Sequence, residues 1–358
     1  MSDALLNALT EALADLVTSV ATCDDDVLDP DTAVKWLENT GYLLGRLSPA
    51  DRGALSVLLR QTAARRPDGG LRDDVLRICE DFGIDDDQHE LYCDAVEDLG
   101  RRFVQTVRDV DPATPVPTCP GWTFADLVRH HGTTHRWIEH LVRTRAAERV
   151  RSKDVPLELP PDPGAYPQWL AGSAEASVRT MRGVDPDTPM WSYGADQRVR
   201  FFPRRLLFEA VVHLADAELA LGQEPRIAPG TAADGIEEFL ENLPCCPWLA
   251  EPVGVLPEGS LRLVATDTGA GWTVSFGASG YRWTASGSVL GRGPAVPVRA
   301  EAPAASVRAE VTAASAGVQG PAGDLLLLLY GRYRPDDPRF EVSGDRATLD
   351  AWLRATAF

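Results

Sequence analysis

Residues 123–140 read TFADLVRHHGTTHRWIEH and residues 204–221 read RRLLFEAVVHLADAELAL. In the first stretch Thr123 is an N-cap and Asp126, three residues on, fills the capping-box position. A helix is therefore expected from there to about Arg145. Four of the six histidines fall within it: His130, His131, His135 and His140. The second stretch has a helical apolar pattern and carries Glu209 and His213 at i and i+4, on one helix face with Leu206, Ala217 and Ala220. That face points inward, and a buried carboxylate is costly unless it is paired or bound to a cation. A buried Glu-x-x-x-His pair is most economically read as two metal ligands.

A third ligand is expected from the histidine helix, where His130 shares a face with Leu127, Thr134 and Trp137. His130, Glu209 and His213 would give two imidazoles and one carboxylate, the donor set of an open Zn²⁺ or similar divalent site. His131 and His135 form a rival i, i+4 pair, and spacing alone does not choose between His130 and His131.

Outward from this centre the chain reads as three domains. Residues 1–88 are expected to form four short helices. Leu5, Leu9, Leu13, Leu16 and Val20 give the first a stripe. Trp36, Leu43, Leu44 and Leu47 mark the second. Ser48-Pro49-Ala50-Asp51 starts a third, with Leu55, Leu58 and Leu59 following. Leu71, Val75, Ile78 and Phe82 mark the fourth, and Asp85–Asp87 reads as a linker with His89 in it. Residues 89–245 read as a helical bundle, with helices near Leu91–Val110, Gln168–Met181 and Ala232–Leu243 besides the two above. Residues 246–358 read as a small α+β domain: strands near Leu261–Ala265, Trp272–Phe276, Arg282–Ala285, Val307–Val311 and Phe340–Val342, a Leu-rich helix at Gly323–Tyr330, and a closing helix at Arg346–Thr356. The fold class is mostly α.

The chain has 358 residues and a formal charge of −18. Such a field repels phosphate backbones and argues against a nucleic-acid partner. Residues 1–88 alone carry 18 acidic and 8 basic side chains, a composition step that suits a separate module. The 35 basic residues include only two lysines, Lys35 and Lys153, as a high-GC bacterial coding bias produces. The longest aliphatic run, Leu325–Leu329, is far too short for a membrane span, and the N-terminus shows no secretory signal. Six scattered cysteines without a CxxC read as reduced thiols, consistent with the cytoplasm. Cys119 precedes a helix N-terminus, a position that favours a thiolate, but the Pro-Gly character of its loop explains the segment without a catalytic thiol; Cys245-Cys246 sit at a domain junction and read as packing. Trp122 and Trp137 read as core.

The stretch VPTCPGWTFADLVRH at 116–130, with Gly132, His135 and Trp137, resembles the mycothiol-dependent maleylpyruvate isomerase family, whose N-terminal part is a DinB-like metal-binding four-helix bundle. Arg204-Arg205, Glu209-x-x-x-His213 and Asp216-Ala217-Glu218 resemble its next motif. AADGIEEFL at 232–240, GPAGDLLLLLYGR at 320–332 and VSGD at 342–345 follow in family order. The likeness runs over roughly 90–358. It departs from the family at His131, where an apolar residue is usual, and in the added segment 1–88.

The resemblance implies His130, Glu209 and His213 as the metal ligands and places Arg332 at the active site as a binder of a substrate carboxylate. It implies mycothiol as a thiol cosubstrate and a small electrophilic or unsaturated acid as the other reactant. The thiolate would add to a double bond and leave again, giving cis–trans isomerisation, or be transferred to an electrophile. The alternative is a non-catalytic metal- or thiol-binding regulatory protein. Under either reading, residues 1–88 are expected to serve docking or dimerisation.

Overall fold

The computed structural model describes residues 3–45, 47, 49–66, 69–84, 88–278, 280–286 and 314–357. The expected strand Val307–Val311, the Asp85–Asp87 run and Ser48 lie outside them. Contacts divide the chain into two compact units, one made mainly of Met1–Gln88 and the other of most of His89–Phe358.

The first unit has four helices: α1 (Asp3–Ala21), α2 (Pro30–Gly45), α3 (Pro49–Ala64) and α4 (Gly70–Asp81). Its core is thin, built from Ala14, Val17, Leu59, Ala63, Val75, Ile78, Cys79 and Ile84. The helix expected at the N-terminus forms, but on a different face. Leu5, Leu9 and Leu16 are exposed, while Thr10, Ala14, Val17 and Thr18 are buried. The inward threonines carry little cost, because each hydroxyl donates to the carbonyl one turn back, Thr10 to Leu6 at 2.9 Å and Thr18 to Ala14 at 2.8 Å. Trp36 and Leu43 on α2 are likewise exposed.

In the second unit α5 (Gln88–Val107), α6 (Phe124–Thr144), α7 (Tyr166–Arg182) and α8 (Phe201–Ala220) share one core. Phe103 and Val107 come from α5, Leu127 and Val128 from α6, Leu170 from α7, and Leu214 and Ala217 from α8. His89 belongs to α5 rather than to a linker: it is buried, with Nε2 3.0 Å from the Met181 carbonyl. The expected capping box starts α6, with Thr123 N–H donating to Asp126 Oδ2 at 3.0 Å. Gly132 lets α6 and α7 approach closely; a Cβ there would lie 2.2 Å from the Trp169 ring.

Helix α9 (Pro229–Asn242) lies against α8 through ion pairs. Arg204 meets Asp234 at 2.7 Å and Glu241 at 2.6 Å, and Arg205 meets Glu238 at 2.7 Å. A short helix absent from the sequence expectations, α10 (Pro247–Gly254), follows. Five strands then make one sheet in the order β3-β2-β1-β4-β5. These are β1 (Gly259–Ala265), β2 (Gly271–Phe276), β3 (Arg282–Ser286), β4 (Ala316–Gly320) and β5 (Glu341–Gly344). β1 runs antiparallel to β2, with Leu263 opposite Trp272, and parallel to β4, with Leu263 opposite Val318. β4 was not foreseen: its AGVQG sequence has little strand character, and its pairing comes from the parallel crossover. The Leu-rich helix α11 (Ala322–Leu329) buries Ala322 and all five leucines, with Asp324 in its first turn partly exposed and paired with Arg339. Helix α12 (Arg346–Ala355) closes the chain. The architecture is mostly α with a small α+β part. No described helix is long and apolar enough to cross a membrane.

Candidate metal centre

Helix α6 presents His130, and α8 presents Glu209 and His213 one turn apart, to the same point. His130 Nε2 donates to Glu209 Oε1 at 2.9 Å, and His213 Nε2 lies 3.3 Å from the same oxygen. The three donor atoms all fall within 4.8 Å of one another. Ligands on a tetrahedral Zn²⁺ stand about 3.3 Å apart, given bonds of about 2.0–2.1 Å. The spacing and the two-imidazole, one-carboxylate chemistry therefore fit a divalent cation held by His130, Glu209 and His213.

The surroundings orient each of these groups. His213 Nδ1 donates to the Asp216 carboxylate at 2.9 Å, which leaves Nε2 as the nitrogen turned toward Glu209 and His130. Glu209 Oε2 accepts from Arg205 Nη2 at 2.9 Å, which leaves Oε1 between the two imidazoles. Trp122 covers the pair, with its ring centroid 5.0 Å from that of His130 and 6.1 Å from that of His213. Burial alone would raise the pKa of Glu209. The hydrogen bonds from His130 and His213, with the Arg205 charge, outweigh it and hold the carboxyl well below the usual range. Burial likewise opposes a charged His213, but Asp216, Cys119 and Glu209 raise its pKa well above the ordinary value.

Arg332 does not present a free guanidinium to a substrate. Its Nε and Nη2 donate to the two oxygens of Asp216 at 2.9 and 2.8 Å, and Nη1 donates to the Tyr330 carbonyl at 2.6 Å. The anion it binds is the buried Asp216, which needs a counter-charge. Arg332 thus lies behind Asp216, which in turn contacts His213. Its placement follows from the end of α11, where Arg332 N–H donates to Leu327 O and Gly331 N–H to Leu328 O, with Gly331 left-handed at φ 75°. This is a Schellman turn that only glycine accommodates without strain. Asp216 and Cys119 carried no role in the sequence reading. Asp216 is legible as an i+3 partner of His213, whereas Cys119 reaches it only through the fold, donating from Sγ at 3.3 Å. Cys119, His213 and Asp216 also lie close enough to hold a cation. Arg332 takes both oxygens of that carboxylate, whereas Arg205 leaves Oε1 of Glu209 to the imidazoles, so the first group is the better site.

His131 and His135, the rival pair, point elsewhere. Both are fully buried; His131 stacks on Phe103 at 4.8 Å, and His135 Nδ1 lies 2.8 Å from Ser177 Oγ. Burial, then repulsion from neighbouring imidazoles, pushes the pKa of His131 well down, and burial pushes that of His135 down to about 4.

A cavity of about 590 Å³ opens beside the centre, with Glu209 and Arg205 in its wall. Trp137, Trp191, Tyr193, Phe239, Trp248 and Tyr330 give it an aromatic part, and Ser192, Gln197 and Asn242 are among its polar groups. Trp137, expected in the core, is instead part of this wall, with Nε1 donating to the Val150 carbonyl at 2.8 Å.

The family description "Mycothiol maleylpyruvate isomerase N-terminal domain" matches residues 93–218, and "MDMPI C-terminal domain" matches residues 231–351. No curated protein matches the chain. Among solved structures, the mycothiol-dependent maleylpyruvate isomerase is similar at 14% identity and a TM-score of 0.41, over 71% of this chain and 92% of that one. A mutant of that enzyme gives 13% and 0.40 over the same shares. The sec-alkylsulfatase Pisa1 from Pseudomonas sp. gives 11% and 0.24, over 90% of this chain and 43% of that one. Carrying both domain types in order over most of its length, the chain belongs to the mycothiol maleylpyruvate isomerase family.

Proposed function

We propose that the protein is a metal- and mycothiol-dependent enzyme that adds a low-molecular-weight thiol to a small electrophile, as a cis–trans isomerase or an S-transferase. The observation that carries this reading is the convergence of His130, Glu209 and His213 within 4.8 Å of one another, with Glu209 also in the wall of the cavity. A divalent cation, Zn²⁺ by this donor set, would supply a Lewis acid that keeps a coordinated thiol deprotonated.

The protein's own groups do the positioning. Asp216 fixes the tautomer of His213, Arg332 balances the charge of Asp216, and Arg205 fixes one oxygen of Glu209 so that the other stays available. In isomerisation the thiolate sulfur adds to one carbon of a conjugated double bond and the π pair moves toward the carbonyl. The remaining C–C bond rotates, and return of the electrons expels the thiolate. Transfer stops at the adduct, with a proton taken up at the neighbouring carbon. A domain division at 1–88, 89–245 and 246–358, and a cytoplasmic location in keeping with six cysteines in no disulfide, belong to the same reading.

The test is metal analysis of the purified chain beside a mass-spectrometric assay of unsaturated acids with and without mycothiol. One zinc per chain, its loss in Glu209→Gln and product only with mycothiol are expected. A chain that binds no divalent metal would overturn the proposal.

A further inference from the structure

The charge balance of the cavity and its aromatic wall bear on what the second reactant is, an inference that rests on the function proposed above. The lining holds four charged side chains: Arg149, Arg205, Glu209 and Glu238. Arg205 is committed, to Glu209 at 2.9 Å and to Glu238 at 2.7 Å, and it also donates to the Tyr330 hydroxyl at 3.2 Å. Glu238 Oε1 accepts from Asn242 at 2.8 Å. Arg332, the other cation near the centre, is held by Asp216. Arg149 alone remains, exposed and in no ion pair among the described residues. With Glu209 and the coordinated thiolate balancing the divalent cation of the proposed function, Arg149 can meet one acid group and a second would go unpaired, which is strongly disfavoured for a carboxylate taken from water.

The aromatic part of the wall favours a flat guest. Trp137 and Trp191 meet edge to face, with centroids 6.1 Å apart, and the backbone N–H of Trp191 donates to the Ala146 carbonyl at 2.7 Å. These bonds, with the Trp137 bond to Val150, tie the segment carrying Arg149 to the aromatic wall. Trp248, on α10, lines the cavity while remaining 54% exposed. An indole that is half in solvent and half in a cavity contributes little to the fold, but it offers a stacking face to a ligand. A cavity of about 590 Å³ has room for a drug-sized molecule.

We infer that the acceptor is a flat, apolar, conjugated electrophile carrying at most one acid group, stacked on Trp248 with its acid on Arg149.

The test is calorimetric binding to the zinc-loaded full chain with three probes: trans-cinnamate, its neutral amide cinnamamide, and fumarate. Cinnamate is expected to bind at least about tenfold more tightly than fumarate, as one stacked ring is worth. Trp248→Ala should weaken cinnamate and cinnamamide about tenfold with zinc content unchanged, and Arg149→Gln should weaken cinnamate alone. Fumarate binding as tightly as cinnamate, or failure of both substitutions to alter affinity, overturns the inference. Loss of zinc binding with the probe preference intact would instead count against the metal centre, so the two failures are distinguishable.

Discussion

Asp216 shows how much of the centre lies in a residue that touches no substrate. It accepts from His213 Nδ1 and is gripped on both oxygens by Arg332, two charged partners for a carboxylate with no exposed side-chain surface. Partners of this kind set ligand orientation and basicity, and their loss weakens metal binding by about 10- to 100-fold. Asp216→Asn is therefore expected to raise the zinc dissociation constant by that factor, read by competition with a fluorescent chelator; an unchanged constant would show that His213 needs no orienting partner. His135 makes a different prediction. Buried beside His131 and Ser177, with the Glu209 charge farther off, it stays neutral down to about pH 4, whereas in the unfolded chain it titrates near its ordinary 6.5. Below pH 6.5 the unfolded chain binds a proton that the folded one refuses, so stability falls as pH drops from 6.5 to about 4, by about 3 kcal/mol for this group. In urea titrations across that window, His135→Gln should flatten the pH dependence relative to the parent protein, and parallel curves would refute the assignment.

Helices were legible wherever local signals and burial agreed. Thr123 and Asp126 announced α6, and Glu209 with His213 announced the inward face of α8. α1 was recognisable as a helix from its leucines but not as to which side it buries. Leucine spacing records apolarity, whereas the structure buries threonines that satisfy their own hydroxyls. β4 and α10 were missed because neither carries a local signal; AGVQG becomes a strand only when β1 lies beside it. Arg332 was found but its partner was not, since Asp216 lies 116 residues away and meets it through the Schellman turn. The packing of α6 on α7 gives the test at this scale. A methyl at Gly132 would lie 2.2–2.8 Å from three atoms of the largely buried Trp169 ring. Gly132→Ala should gain a little in helix propensity and lose more to overpacking, a net cost of about 1–3 kcal/mol seen as a lower unfolding midpoint. A rise in the midpoint would mean that Trp169 can move aside freely.

The whole molecule distributes its aromatic reporters unevenly, and that makes a metal-linked stability measurable in the intact chain. Of nine tryptophans only Trp36 belongs to residues 1–88; the other eight lie beyond. Tryptophan fluorescence therefore follows the unit that holds His130, Glu209 and His213, while far-ultraviolet circular dichroism also sees α1–α4. A cation that binds the folded centre and not the unfolded chain stabilises by about 2.7 kcal/mol at a hundredfold excess over its dissociation constant. Zinc should accordingly raise the fluorescence-monitored unfolding temperature of the chelator-stripped protein. Helical signal from residues 1–88, whose thin core contains no ligand, should melt at an unshifted temperature. In His130→Ala the fluorescence midpoint should no longer respond to zinc, because a two-ligand remnant binds too weakly to add stability. A fluorescence midpoint that zinc leaves where it was in the parent protein would mean that the three donors, close as they are, do not hold the cation.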